Sequence, residues 1–194
     1  MTLTKIRPNN DIKPVDVEIG IFIIDIINVD EVTESFTADF LINLKWHDPR
    51  LSEKALGFSL EDYKLSLDDI WHPNIHPINL RELTEEKDRD VEIDSDGKIR
   101  FSERIYGELS SPLNLNEFPF DIQSLNIQIA SFEYGPQDVI FIIDSAKTGI
   151  VDVSFLGGWD IIENISNVDV DPMRGVAGAH TRLVHSIVIE RHVG

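Results

Sequence analysis

The chain of 194 residues contains no cysteine and only two methionines, and its 17 lysines and arginines face 35 acidic residues. Without cysteine there is no disulfide framework and no thiolate metal site, which leaves the redox compartment open. A net charge of −18 and a pI near 4.5 exclude nucleic acid as a partner, because phosphate binding needs a basic patch. The acidity reads as solubility, or more sharply as a surface that concentrates cations or titrates with pH. Long apolar runs are also missing. The most apolar stretch, Ile19 to Ile27, is interrupted by Asp25 and falls short of the roughly 20 residues of a spanning helix. The first residues, MTLTKIRPNNDIKP, lack the apolar core of a secretory signal, so the expectation is a cytosolic chain or a mature or shortened one.

Catalytic signatures are scarce as well. There is no Gly-x-Ser-x-Gly elbow, P-loop or dinucleotide fingerprint. Paired acids such as Asp68/Asp69 are expected in so acidic a chain, and the reading is that this is not an enzyme. His72 and His76 have a helical metal-ligand spacing, but Pro73 and Pro77 preclude a helix there. They read as exposed loop histidines. Asn164-Ile165-Ser166 fits a glycosylation sequon.

What is present is alternation. Val17, Ile19, Ile21, Ile23, Ile27 and Val29 share one face of a β-branched run, followed by turn residues around Asp30-Glu31. Phe36 to Trp46 repeats the pattern, with Ala38, Phe40, Ile42, Leu44 and Trp46 inward, so the two runs predict a hairpin. Residues 51 to 70 read mostly as loop. Strands are predicted over Ile78–Leu83, Val91–Ile93, Ile99–Leu109, Leu125–Ile129, Val139–Ile143, Trp159–Val170 and Leu183–Arg191. Asp94-Ser95-Asp96-Gly97 is a tight turn with Gly97 at positive φ. Nine or ten strands without a long helix predict an all-β sandwich or barrel of one domain spanning residues 1–194.

The organising segment is Ser110 to Tyr134. Phe118-Pro119-Phe120-Asp121 cannot lie inside a regular strand, because Pro119 lacks a backbone donor. Leu125, Ile127 and Ile129 then alternate with Ser124, Asn126 and Gln128. Phe132 falls on the polar side, beside Tyr134 and just before the Gly135-Pro136 turn, where a binding pocket could lie.

These residues carry a family likeness. Ile27-Asn28-Val29-Asp30-Glu31-Val32, Trp46-x-Asp48-x-Arg50-Leu51, Trp71-x-Pro73, Phe118-Pro119-Phe120-Asp121-x-Gln123-x-Leu125 and Gly158-Trp159 occur in this order over nearly the whole chain. The pattern resembles the extracellular ligand-binding domain of pentameric ligand-gated ion channels, the Cys-loop receptor superfamily. It is most similar to the bacterial members and to their proton-gated channel. The cysteines framing the eukaryotic loop are absent, and Asn74 stands where an acid usually follows Trp-x-Pro.

The resemblance implies a twisted, immunoglobulin-like β-sandwich that assembles as a homopentamer, with agonist held between neighbouring subunits. It also implies a membrane domain after residue 194 that this chain lacks, in a cell inner membrane with the sandwich on the periplasmic or extracellular side. It assigns ligand contacts to Phe132 and Tyr134, with Ile78 on the first loop, Leu41 on the complementary strand and Arg182 at the end of the capping loop. So few aromatic faces disfavour a quaternary amine. It assigns gating or coupling to Glu31, Glu34, Asp121 and Arg191. The agonist is left open between protons, a divalent cation and a small organic ligand. No cofactor is expected beyond Ca²⁺ as a modulator, for which Asp88, Asp90, Asp94 and Asp96 are the weak candidates. From another class, the alternative is a free-standing β-sandwich binding module, such as a carbohydrate binder, which would need exposed aromatics.

Overall fold

In the computed structural model, residues 5–8, 12–82, 89–151, 156–171 and 178–194 are described. Two sheets face each other. The first has seven strands: β1 (Val15–Asp30), β2 (Ser35–His47), β3 (Leu65–Ser66), β5 (Asp90–Ile93), β6 (Lys98–Ser110), β8 (Val139–Ile143) and β9 (Gly149–Ile150). Their order is β3-β5-β6-β2-β1-β8, with β9 also paired to β1. The second has four: β4 (Ile75–Pro77), β7 (Ile122–Ser131), β10 (Trp159–Asp171) and β11 (His180–Arg191), in the order β10-β11-β7-β4. This is the predicted β-sandwich. Helix is confined to short turns such as Glu53–Leu56, within the stretch read as loop.

The hairpin of β1 and β2 is the spine of the first sheet. Ile19, Ile21, Ile23, Phe36, Phe40 and Ile42 are buried against Leu125, Ile127, Ile129, Leu183, Ile187 and Ile189 of the second sheet. Each such side chain contributes roughly 1.5–3 kcal/mol by leaving water. The alternation in β1 does not run through as predicted. Register shifts between Ile23 and Asp25 and between Ile26 and Asn28 exchange the faces. Ile26 goes into the core and Ile27 is exposed, because the first bulge adds a residue and exchanges the faces until the second restores them, which leaves Val29 against the core as predicted. Asp39 points outward, yet it is buried under Arg104, which grips it at 2.9 and 2.6 Å.

Other differences are local. The strand predicted at Ile78–Leu83 lies earlier, at Ile75–Pro77, followed by one isolated bridge between Leu80 and Leu109. Pro77 is tolerated there because β4 is an edge strand. Gly97 has φ +87° in the turn before β6, as predicted, and a β-carbon there would strike the backbone oxygen of Asp48.

Candidate functional site

One end of the sandwich is organised around Arg191, the last residue of β11. Its Nε donates to Asp121 Oδ1 at 2.6 Å and one terminal nitrogen to Asp121 Oδ2 at 3.1 Å. The other terminal nitrogen meets Glu31 at 2.7 Å. The guanidinium is also flanked by two aromatic faces, 4.1 Å from the Trp159 ring centre and 4.8 Å from that of Phe118. Planar guanidinium suits both uses at once, forking to a carboxylate in its plane and stacking above it.

The elements place these groups for identifiable reasons. Pro119, in a cis peptide after Phe118, keeps this segment out of the ladder and delivers Asp121 immediately before β7. Asp121 is only 1% exposed. A buried carboxylate needs several donors, and besides Arg191 it receives Gln123 Nε2 at 2.6 Å. Gln123 is itself clamped to the backbone of Asn114 at both ends of its amide. The Arg191 hydrogen bonds hold the Asp121 carboxyl down at about 2 and push the Arg191 guanidinium up. The backbone adds a further tie from Arg191 N to Asp121 O at 3.2 Å.

Of the acids predicted at the hairpin tip, only Glu31 joins this clamp. Asp30 Oδ1 instead accepts from the backbone of Val32 and Thr33, closing the turn, and those bonds hold its pKa down. Glu34 has φ +50°, and its carboxylate accepts from Leu113 N at 3.3 Å. Beside it a second arginine fixes the same turn: Arg81 donates to Thr33 O at 2.6 Å, Ser110 Oγ at 2.7 Å and Glu108 at 3.0 Å. So Glu31 and Glu34, three residues apart, serve different arginines or segments.

The second site lies on the outer face of the four-stranded sheet. Ala130 of β7 stands in register between His76 of β4 and Arg182 of β11. Two residues on, Phe132 is 46% exposed and lies against the His76 ring, with centres 5.5 Å apart. Arg182 forks onto Asp169 at 2.9 and 2.6 Å and reaches Asp171 at 3.3 Å and Gln128 at 3.2 Å. The Arg182 hydrogen bonds lower the Asp169 pKa. Ile78 borders this face, its N–H donating to Gln128 O at 2.8 Å. Tyr134 turns away: its hydroxyl accepts from the Trp71 indole at 3.0 Å and its ring packs on Trp71. Leu41 belongs to the other sheet, opposite Arg104. Of the residues in the loop from 173 to 182, 173–177 lie outside the described residues.

The remaining candidates fare differently. Asp88 lies outside the described residues. Asp94 Oδ1 is occupied by the backbone of Asp96 and Lys98, and Asp90 pairs with Lys64 at 3.4 Å. Among the described residues no group of three or more metal-ligating side chains converges. His72 and His76 are half-buried rather than exposed, because Asn74 between them takes a left-handed φ of +50° and binds both rings. Trp46, Trp71 and Trp159 are all buried, so none of the three tryptophans serves as the stacking platform a carbohydrate binder would present.

Sequence reasoning missed Phe118 and Trp159 as the stacking partners of Arg191, and Arg81 as the second anchor. The Asp-x-Gln spacing of Asp121 and Gln123 is a signal that could have pointed to the carboxylate's buried partner, because residues two apart in an extended chain share a face.

Comparison with known proteins agrees with this geometry. The family model for the neurotransmitter-gated ion-channel ligand binding domain matches residues 3–193. The proton-gated ion channel of Gloeobacter violaceus is 28% identical over 149 residues, which cover 77% of this chain and 42% of that protein. The match thus spans about two fifths of that relative's length. Among the described residues no helix is long and apolar enough to cross a membrane. With the sandwich, the proline-bent segment before β7 and a family model matched over nearly its full length, the chain belongs to the neurotransmitter-gated ion-channel ligand-binding domain family.

Proposed function

We propose that this chain is the agonist-sensing extracellular domain of a bacterial pentameric, cation-selective channel, seated on the outer side of the inner membrane. The observation that carries the reading is the clamp of Arg191 on Asp121 and Glu31. One side chain at the end of the last strand joins the hairpin tip of one sheet to the proline segment of the other. A conformational change that slides the sheets is thereby delivered to whatever follows residue 191. Agonist acts at the face of Phe132, His76 and Arg182, closed in the assembled ring by Leu41 of a neighbouring copy. Protons act on the same equilibrium, since protonation of acids in the hairpin turn would weaken the charge network. The relative's name, proton-gated ion channel, makes protons the first agonist to try. A net charge of −18 supports cation rather than anion passage.

The test is a fusion of residues 1–194 to the pore domain of the Gloeobacter channel, expressed in oocytes and stepped from neutral to acidic pH. Inward current that is lost in Asp121→Asn and in Arg191→Ala is expected. A fusion that reaches the surface and stays silent to acid and to small organic ligands would refute the reading.

A further inference from the structure

After β4 the chain leaves the second sheet and crosses to the first between Ile78 and Arg81. Ile78 N still donates to Gln128 O of β7 at 2.8 Å, whereas Arg81 N donates to Glu108 O of β6 at 2.9 Å. Asn79, between them, holds both sheets with one side chain. Its Nδ2 donates to Ser110 O of β6 at 2.8 Å and to Asn126 O of β7 at 2.7 Å, and its Oδ1 accepts from Gln128 N at 2.9 Å. Ser110 N returns a bond to Asn79 O at 2.9 Å. The amide thus uses both hydrogens and its oxygen, and neither sheet can shift past the other here without breaking one of these bonds. The apolar contacts elsewhere between the sheets are non-directional and set no such limit.

Arg81 continues the segment to the turn between β1 and β2. Its Nε and one terminal nitrogen hold Ser110 and Glu108 of β6. The other terminal nitrogen reaches the carbonyls of Thr33 at 2.6 Å and Glu34 at 3.4 Å. Ser111 N, buried just past β6, donates to the same Glu34 carbonyl at 2.9 Å. Glu34 is held at φ +50°, a left-handed backbone that a residue with a side chain keeps only where its surroundings impose it. The same turn carries Glu31, the partner of Arg191. It is therefore held from two sides, by Arg81 at Thr33 and Glu34 and by Arg191 at Glu31.

We propose that Asn79 and Arg81 are positioning residues that carry a displacement of the Phe132–His76 face to the turn bearing Glu31. The inference deepens the agonist-sensing reading above and rests on it. His76 lies against the Phe132 ring, so a ligand that moves one moves the other. From there the chain is tied to a strand at each step. His76 pairs with Ala130, Pro77 with Ile129, Ile78 with Gln128, Asn79 with Ser110, Leu80 with Leu109 and Arg81 with Glu108. A shift at the His76 end meets no slack loop in which to die out, and the forked Arg81 side chain hands it to the two turn carbonyls.

The experiment is amide hydrogen exchange in the 194-residue chain. It reads no current, so a silent fusion channel and a failed relay are separate outcomes. His76→Ala is the perturbation at the ligand face. Ser111 N reports on the turn through its bond to Glu34 O, and Gly97 N, bonded to Asp94 O in the turn before β6, is the control. His76→Ala is expected to speed exchange at Ser111 by about fivefold or more and to leave Gly97 unchanged. In an Arg81→Gln background the same change leaves Ser111 within about a factor of two. Arg81→Lys, which keeps the charge without the fork, behaves like Arg81→Gln. Both variants alter a side chain about one-third exposed, and they decide the question even where Asn79→Ala does not fold. An arginine that only stabilises the turn would raise the Ser111 rate yet leave its response to His76→Ala intact. That result, an equal acceleration at Gly97, or no response in the native chain would each overturn the proposal.

Discussion

His185 gives the sharpest test of the physical picture. It lies on the inner face of β11 at 0% exposure, with Ser166 bonded to Nδ1 at 2.7 Å. Its Nε2 has no partner among the described residues, and neither does the buried Asn164 Oδ1 of the adjacent strand. Burial away from water disfavours the charged ring, so its pKa falls from the ordinary 6.5 to about 4. The unfolded chain therefore takes up the proton first as pH drops. The stability contributed by the neutral ring is complete above pH 6.5, is lost between there and about 4, and is flat below. At about 1.4 kcal/mol per pH unit the whole loss is about 3 kcal/mol, of which about 2 kcal/mol falls between pH 7 and pH 5. His185→Gln is uncharged at every pH and keeps an amide within reach of Ser166. Urea unfolding followed by tryptophan fluorescence at pH 7, 6 and 5 measures both proteins. The variant's stability should fall about 2 kcal/mol less than the native chain's over that range. Because His72 is depressed in the same direction, the difference between proteins carries the conclusion, not the native slope alone. Curves parallel within about 0.5 kcal/mol would show that the buried ring accepts its proton freely, and the argument from burial would fail.

Asp121→Asn leaves Arg191 without its buried counter-charge and should cost about 3 kcal/mol, whereas Glu31→Gln, at a one-third exposed partner, should cost no more than about 1 kcal/mol; equal losses in urea titrations would contradict the ranking. Asp121 itself, with its carboxyl held at about 2, stabilises the fold above the ordinary 3.8 and loses that contribution as pH falls through about 2, giving an acid limb absent from the Asn variant. Gly97→Ala sets a side chain on a residue at φ +87° against the Asp48 carbonyl, and a loss of about 2 kcal/mol in thermal unfolding is expected. Tyr134→Phe strips the Trp71 indole of its acceptor and should cost about 1–2 kcal/mol with little change in fluorescence maximum.

Much of the fold was legible because the strands that matter are long and alternate cleanly. β2, β6 and β7 fall within a few residues of the predicted limits, and the inward sets of β2 and β7 are the predicted ones. Where the period broke, the reading broke with it. Nothing in Ile23-Ile24-Asp25-Ile26-Ile27 says which isoleucine a bulge will turn inward, because every candidate is equally apolar. The short edge strand at Ile75–Pro77 was obscured by its prolines, which remove the pattern from which strands are recognised. For the sites, the family resemblance named Glu31, Asp121 and Arg191, but it could not supply the depth at which Asp121 sits. Nor could it find Trp159 and Phe118 around the guanidinium, since stacking across 32 and 73 residues leaves no periodic trace. Phe132 was readable as an aromatic out of phase. Tyr134 looked equivalent by spacing, and only packing showed that it faces Trp71.

The grip of Arg191 is lopsided. Toward its own sheet it is riveted by a two-pronged ion pair, a main-chain tie and a near-dry aspartate. Toward the neighbouring sheet it hangs on a single contact with a partly wetted glutamate. Under shear the joint must fail on the Glu31 side first, and it can remake that contact without disturbing the other. A fastening that is permanent on one plate and releasable on the other works as a latch.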